Sequence, residues 1–214
     1  MRDLLYKELR LALHPAALLF LGLSAMLLIP NYPYYVAFFY TALGLFFICM
    51  AGRENRDIFY TMLLPVRKRQ IVGARFLTAM LLEGAQLLLA VPFAMLRNGY
   101  GMKNTVGMEA NVAFFGFALG MLGVFNLVFL ARYYRNPDQV GLSFVAGSVA
   151  IALYMIVAEG VTHAVPFVRD VLDTPDPLYL GWKLLVLGLG LAIYGALTLT
   201  AYQVSARRFE ALDL

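Results

Sequence analysis

Long apolar segments alternate with short polar segments along almost the whole chain. An α-helix needs about 20 apolar residues to cross a bilayer, and only helices or closed barrels satisfy their backbone groups inside one. Apolar segments this dense leave no room for a barrel pattern. The sequence therefore predicts an all-α polytopic membrane protein, in which residues 1–214 form a single transmembrane domain. The six predicted transmembrane helices are 15–29, 34–51, 71–96, 112–131, 140–161 and 180–204.

The first fourteen residues predict a different kind of helix. Asp3, Lys7, Arg10 and His14 follow one another at spacings of four, three and four residues, and leucine and alanine occupy the opposing stripe. A basic amphipathic helix of this kind is suited to the membrane interface. Residues 1–14 are therefore predicted to form an interfacial helix that ends at Pro15. The alternative is a frayed extension of the first span.

The composition excludes a soluble domain and several kinds of site. With 62% hydrophobic and only 14% charged residues, the chain has too little polar surface for a soluble domain. Its single cysteine, Cys49, excludes a disulfide within the chain and a thiolate metal site. The excess of basic residues does not predict nucleic-acid binding, because in a membrane protein the position of the cations matters more than their sum.

If the chain crosses the membrane six times, its lysines and arginines are divided unequally between the two sides of the membrane. Thirteen belong to the termini and to the second–third and fourth–fifth loops, and the opposite side has only four: Arg97, Lys103, Arg169 and Lys183. Cytoplasmic loops of membrane proteins carry the excess of lysine and arginine. Both termini and the loop 52–70 are therefore predicted to be cytoplasmic.

The loop 52–70 combines clustered charges with an apolar helix face. A short helix is predicted here, with Asn55 or Asp57 capping its start and Pro65 ending it. Four apolar residues at helical spacing form its predicted face: Ile58, Phe59, Met62 and Leu63. Physical chemistry leaves two interpretations open. The face lies on lipid headgroups beside the basic residues, or it binds a groove on a soluble partner.

The sequence of this loop resembles a known family. The first cytoplasmic loop of ABC transporter type-2 permeases is similar to GRENRDIFYTMLLPVRKRQIVGAR. Small bacterial six-span permeases are also similar at IPNYPYYVAFFYTALGLFF, at GMEANVAFFGFALGMLGVFNLVF and at RNPDQVG. Some of those permeases pair with a separate ATPase and export amphipathic peptides such as phenol-soluble modulins. The resemblance covers most of the chain.

The resemblance implies a division of labour between subunits. In that family the loop is the coupling helix, which sits in a cleft of the ATP-hydrolysing subunit. This chain would then be a non-enzymatic permease of the bacterial plasma membrane, working as a homodimer with two ATPase subunits that bind ATP and Mg. The sequence agrees in having no G-x-x-x-x-G-K-[ST] motif for phosphates. The residues expected to contact the ATPase are Glu54, Asn55, Arg56, Asp57, Ile58, Phe59, Met62, Leu63, Pro65 and Arg67.

Polar residues inside the predicted spans are candidates for the translocation path. Glu83 lies near the middle of the third span, where a carboxylate costs about 2.5–3.5 kcal/mol on insertion scales, and Gln86 follows one turn later. Glu83 either lines the path or is a hydrogen-bonded acid that holds spans together with Gln86 or Asn126. Glu159 and His163 lie one turn apart near the outer end of the fifth span. They are interpreted as an outer-vestibule pair, with a proton relay or metal pair as the alternative.

The predicted function is a permease subunit that forms a path for an amphipathic substrate, whether peptide, lipid or drug. One alternative is a proton-coupled secondary transporter that uses Glu83. Such a transporter is often built from inverted repeats, and the two halves of this chain show no convincing similarity. An intramembrane enzyme is the other alternative, but the sequence contains neither H-E-x-x-H nor G-x-S-x-G.

Overall fold

The computed structural model describes residues 2–99, 101 and 104–212, and this part of the chain is helical without strands. Five of its helices are long and apolar enough to cross a membrane. The architecture confirms the predicted all-α polytopic membrane protein. Of the residues used for the orientation, Lys103 lies outside the described part. In chain order the helices are α1 Arg2–Ala12, α2 Pro15–Leu28, α3 Tyr35–Glu54, α4 Asp57–Met62, α5 Lys68–Gly99, α6 Val112–Tyr133, α7 Val140–Ala164 and α8 Leu180–Glu210.

Helices α1 and α2 meet at a bend of 87°, at the position where the sequence predicted a break. A residue before proline is restricted to extended backbone, and His14 has ψ of 136° ahead of Pro15. The ring of His14 also caps α2, because its Nδ1 accepts a hydrogen bond from the Ala16 amide at 3.1 Å. A sixth span is present only if α1 and α2 are counted together as one bent helix. The assignment of α1 to the interface stays a prediction.

Several helices run past the apolar segments that predicted them. Helix α3 continues to Glu54, α5 begins at Lys68 and α8 reaches Glu210, so charged residues extend these helices at one end of the bundle. Long basic side chains can place their charged groups in water while their stems cover apolar surface. We call this end, which also carries α4 and the loop 134–139, the basic end.

Helices α6 and α8 pack with their backbones in contact. A Cβ atom added at Gly190 would lie 2.2 Å from the Gly116 carbonyl oxygen, and one added at Gly116 would lie 2.6 Å from the Val186 carbonyl oxygen. Small residues permit such close approach between membrane helices, where packing replaces the hydrophobic driving force. The two glycines therefore set the spacing of this helix pair.

At the opposite end, the connection from α7 to α8 contains a π-helical turn, Val168–Leu172. The first turn of α8 holds this connection through Lys183, whose side chain is fully buried. Its ammonium donates to the Thr174 carbonyl at 2.6 Å and to the Asp176 carboxylate at 2.9 Å.

Candidate functional site

The short helix α4 lies at the basic end, between the long helices α3 and α5. The chain turns into it through Arg56, whose φ of 50° is in the left-handed region. Such backbone costs a residue with a Cβ about 1–2 kcal/mol. The predicted caps are wrong, because Asn55 ends α3 and Arg56 occupies the N-cap position without a side-chain hydrogen bond. Helix α4 ends at Met62, before Pro65.

The apolar residues of this helix are divided between two faces rather than gathered on one. Ile58 and Met62 are half-buried and pack against the core. Phe59 is 49% and Leu63 69% exposed. Two residues that the helical spacing does not indicate, Tyr60 and Leu64, are also exposed here. We call this face the exposed patch; it consists of Phe59, Tyr60, Leu63 and Leu64.

The inner face of α4 is fixed by a network of charged side chains from three helices. Arg75 of α5 lies 2.6 Å from the Glu8 carboxylate of α1 and 2.8 Å from the Asp57 carboxylate of α4. Lys7 lies 2.7 Å from Asp57 and 3.0 Å from Glu8. The Lys7 ammonium also donates to the Thr61 hydroxyl at 3.1 Å. We call these five residues the Arg75 network.

The Arg75 network is electrically balanced and shielded from solvent. It contains two cations and two carboxylates, and the side chains of Glu8 and Arg75 are only 2% and 4% exposed. A buried charge needs a close partner, because removing one member of a buried pair costs about 3–5 kcal/mol. The pairing therefore holds α1, α4 and α5 in one fixed arrangement at the basic end.

Sequence reasoning missed most of this network. The sequence predicts docking for Asp57, the polar stripe of α1 for Lys7 and the cytoplasmic side for Arg75, but it does not indicate that these residues contact one another or Glu8 and Thr61. A signal was present, since Arg75 follows the first apolar residues of the third span and a charge there needs a partner. Its partners are distant in sequence, however, and no local spacing indicates them.

Open clefts flank α4 on both sides. A cleft of about 240 Å³ separates it from the loop 134–139, and Arg53 crosses to that loop by donating to the Asp138 carbonyl at 3.2 Å. A larger recess of about 470 Å³ lies between α4 and α1, where Tyr60 and Leu64 contribute to its wall. The remaining residues predicted for docking are all exposed: Glu54, Asn55, Arg56, Pro65 and Arg67.

Within the bundle, Glu83 belongs to a hydrogen-bonded cluster that joins three helices. Its carboxylate accepts from the Tyr194 hydroxyl of α8 at 2.6 Å and from the Asn126 amide of α6 at 3.1 Å. The same amide lies 3.3 Å from the Thr198 hydroxyl. Asn126 begins a π-helical segment, Asn126–Leu130, a distortion that often accompanies functional positions. With Glu83 only 1% exposed, this geometry favours the interpretation that the acid holds spans together.

The other candidates for the path lie elsewhere. Gln86 is fully buried and donates to the Ala37 carbonyl of α3 at 3.3 Å. Glu159 accepts from the Met108 amide at 3.1 Å, under the loop that precedes α6. The exposed ring of His163 contacts the backbone carbonyl of Glu159 at 2.8 Å. The structure thus brings Glu83 and Asn126 together and does not join the remaining three to them.

A family model matches nearly the whole chain. The model described as ABC-2 family transporter protein matches residues 3–210. No curated protein and no solved structure matches the sequence significantly.

Proposed function

The chain belongs to the ABC-2 family of transporter proteins, and from this premise we propose that it forms the translocation path for an amphipathic substrate, driven by an ATPase that docks on α4. The family supplies the membrane component of ABC transporters, and membership implies an ATPase partner in another chain. The finer parts of the proposal are the docking helix, a homodimer of the permease and an amphipathic cargo such as a peptide. The site of export would be the bacterial plasma membrane, with the basic end in the cytoplasm.

The observation that carries the proposal is the exposed patch on α4. A helix that fixes its inner face through the half-buried ion pairs of Asp57 and leaves Phe59 and Leu63 in solvent presents an apolar surface at a defined position. Exposed apolar groups gathered on a short helix and the turn that follows it, with charged residues beside them, are typical of a segment that binds a groove. Arg56 and Arg67 lie on either side of the patch in sequence and would fix the register of docking.

The Arg75 network gives this docking surface a connection to the membrane helices. A displacement of α4 acts on Asp57, and Asp57 is bound to Arg75 of α5 and to Lys7 of α1. In the proposed cycle, ATP closes the ATPase dimer because it binds the closed state more tightly than the open state. Closure moves α4 in both permease copies, and the buried ion pairs make α5 and α1 follow.

The proton-coupled alternative has less support. A proton carrier must exchange protons with water in the course of transport. Glu83 is fully enclosed, and its carboxylate accepts two hydrogen bonds from α6 and α8. That arrangement fits a structural acid better than an exchanging one, and it leaves ATP hydrolysis by a partner as the favoured source of energy.

Co-purification with the ATPase encoded nearest to this gene tests the proposal. We expect the F59D/L63D variant to lose the ATPase while its expression and elution as a folded membrane protein stay unchanged. Both residues are exposed, so the acids are placed in solvent rather than in the core. The matched control is V106D/L178D, which puts two acids at exposed apolar positions in the loops next to α6 and α8 at the other end. Retention of the ATPase by F59D/L63D would exclude α4 as the docking helix.

A further inference from the structure

A groove at the basic end is lined by two arginines whose guanidinium groups have no partner in the described part of the chain. Arg132 lies in the last turn of α6 and Arg135 in the loop 134–139 that follows, and both are exposed. No hydrogen bond or ion pair occupies either guanidinium within the described residues. They line a groove of about 370 Å³ between the end of α6 and the start of α7. Two free guanidiniums in one recess provide several donors for a single anion.

The rest of the groove is also polar and contains no carboxylate. Asn136, Gln139 and Ser143 complete its lining. Asp138, the nearest acid in the loop, contributes instead to the cleft beside α4. A ligand with a positive group would find no counter-charge in this recess, whereas a phosphate would meet arginine and amide donors. The lining therefore selects an anionic group.

The surface next to the groove indicates what carries that anion. Helix α7 starts at Val140, and its first turns expose Leu142, Val145 and Val149 along one side. Residues at spacings of three and four form a continuous apolar stripe on a helix. A polar recess at the start of this stripe matches a phospholipid, which has a charged headgroup and apolar chains. Because α7 is one of the helices that can cross the membrane, the acyl chains of a lipid held at the groove would lie along this stripe.

We propose that the groove binds the phosphate of an anionic phospholipid, with the acyl chains along the α7 stripe. Basic pockets between membrane helices are known to hold such headgroups. Phosphatidylglycerol satisfies the groove because its only charge is the phosphate. Phosphatidylcholine is disfavoured, since its ammonium group has no acidic partner there. The site is separate from α4, and its occupation does not depend on the docking proposal.

Native mass spectrometry of the purified chain, titrated in detergent with either lipid, tests this site. We expect phosphatidylglycerol to be retained in preference to phosphatidylcholine, and R132Q/R135Q to bind it about tenfold more weakly or worse, since a hydrogen bond to a charged group contributes about 1.5–3 kcal/mol. The control R2Q/R207Q removes two exposed arginines outside the groove and should bind as the unmodified chain does. A second variant, R132K/R135K, keeps the charge and loses the planar fork, so it should bind at an intermediate level. It also provides the comparison if R132Q/R135Q does not fold.

Three results would overturn the proposal. Equal losses in R132Q/R135Q and R2Q/R207Q would mean that only the general attraction of basic residues for anionic lipid is measured. Inorganic phosphate that displaces phosphatidylglycerol at equal concentration would assign the groove to a soluble anion. Unchanged lipid binding, with loss of the ATPase on co-purification, would show that the arginines contact a protein acid.

Discussion

Replacing Arg75 with methionine tests whether the Arg75 network holds the basic end together. Methionine fills similar volume and removes the charge, and within the described residues it leaves the buried Glu8 paired with Lys7 alone, at 3.0 Å. Breaking a buried pair costs about 3–5 kcal/mol. Because Lys7 still contacts both carboxylates, we expect a loss near the lower limit, about 3 kcal/mol in the free energy of unfolding.

The measurement is an SDS titration of the purified protein, followed by the circular dichroism of its helices. Arg69→Met is the matched control, since Arg69 pairs with Glu210 at 2.8 Å and both side chains are largely exposed, at 58% and 42%. An exposed pair contributes about 0–1 kcal/mol, so this variant should be nearly as stable as the unmodified protein.

A double variant separates the ion pair from the packing of the arginine stem. In E8M/R75M both buried charges are absent, and Asp57 keeps Lys7 at 2.7 Å. Replacing a buried pair by apolar residues is often neutral, so most of the lost stability should return. If R75M is no less stable than R69M, or if E8M/R75M recovers nothing, the network does not stabilise the basic end.

Further variants test the packing of the bundle. Gly190→Ala should destabilise the α6–α8 pair by about 1–3 kcal/mol as an overpacked contact, whereas Gly188→Ala meets no atom within 4 Å and should be tolerated; SDS titration of the two distinguishes them. Glu83→Leu leaves two buried donors without their acceptor and should cost about 1–3 kcal/mol for each, while Glu83→Gln retains an acceptor and should cost less; an equal loss in both would contradict the hydrogen-bonded cluster. Lys183→Met removes the partner of Asp176 and should increase proteolysis between α7 and α8; unchanged cleavage rates would show that this pair does not hold the connection.

Hydropathy predicted the bundle because each span must form the hydrogen bonds of its own backbone within the lipid and must therefore be a long apolar helix. The break between α1 and α2 could also be predicted, since Pro15 restricts the backbone of the residue before it. These features depend on residues that are neighbours in the sequence. The predicted interfacial position of α1 and the two predicted cytoplasmic termini are not tested by the structure and stay predictions.

The candidate site was only partly predictable, because its contacts are distant in sequence. Glu8 and Arg75 are 67 positions apart, and one sequence contains no covariation that would pair them. The caps of α4 were predicted incorrectly because α3 continues through Glu54 and takes Asn55 as its own end. The apolar face was misassigned for a related reason. Helical spacing groups Ile58 with Phe59, but with Asp57 held by its ion pairs Ile58 packs against the core and Phe59 stays exposed.

The equal number of positive and negative groups in the Arg75 network has a consequence for how the protein responds to ionic strength. Dissolved ions screen exposed charges over a Debye length of about 8 Å at physiological salt, and they screen buried pairs much less. The shielded core of the network, Glu8 with Arg75, should therefore stay paired as salt rises. Contacts made by the exposed Arg56 and Arg67 should weaken under the same conditions. In the proposed complex, high salt would then weaken the charged contacts that fix the docking register and leave the internal linkage of the permease unchanged.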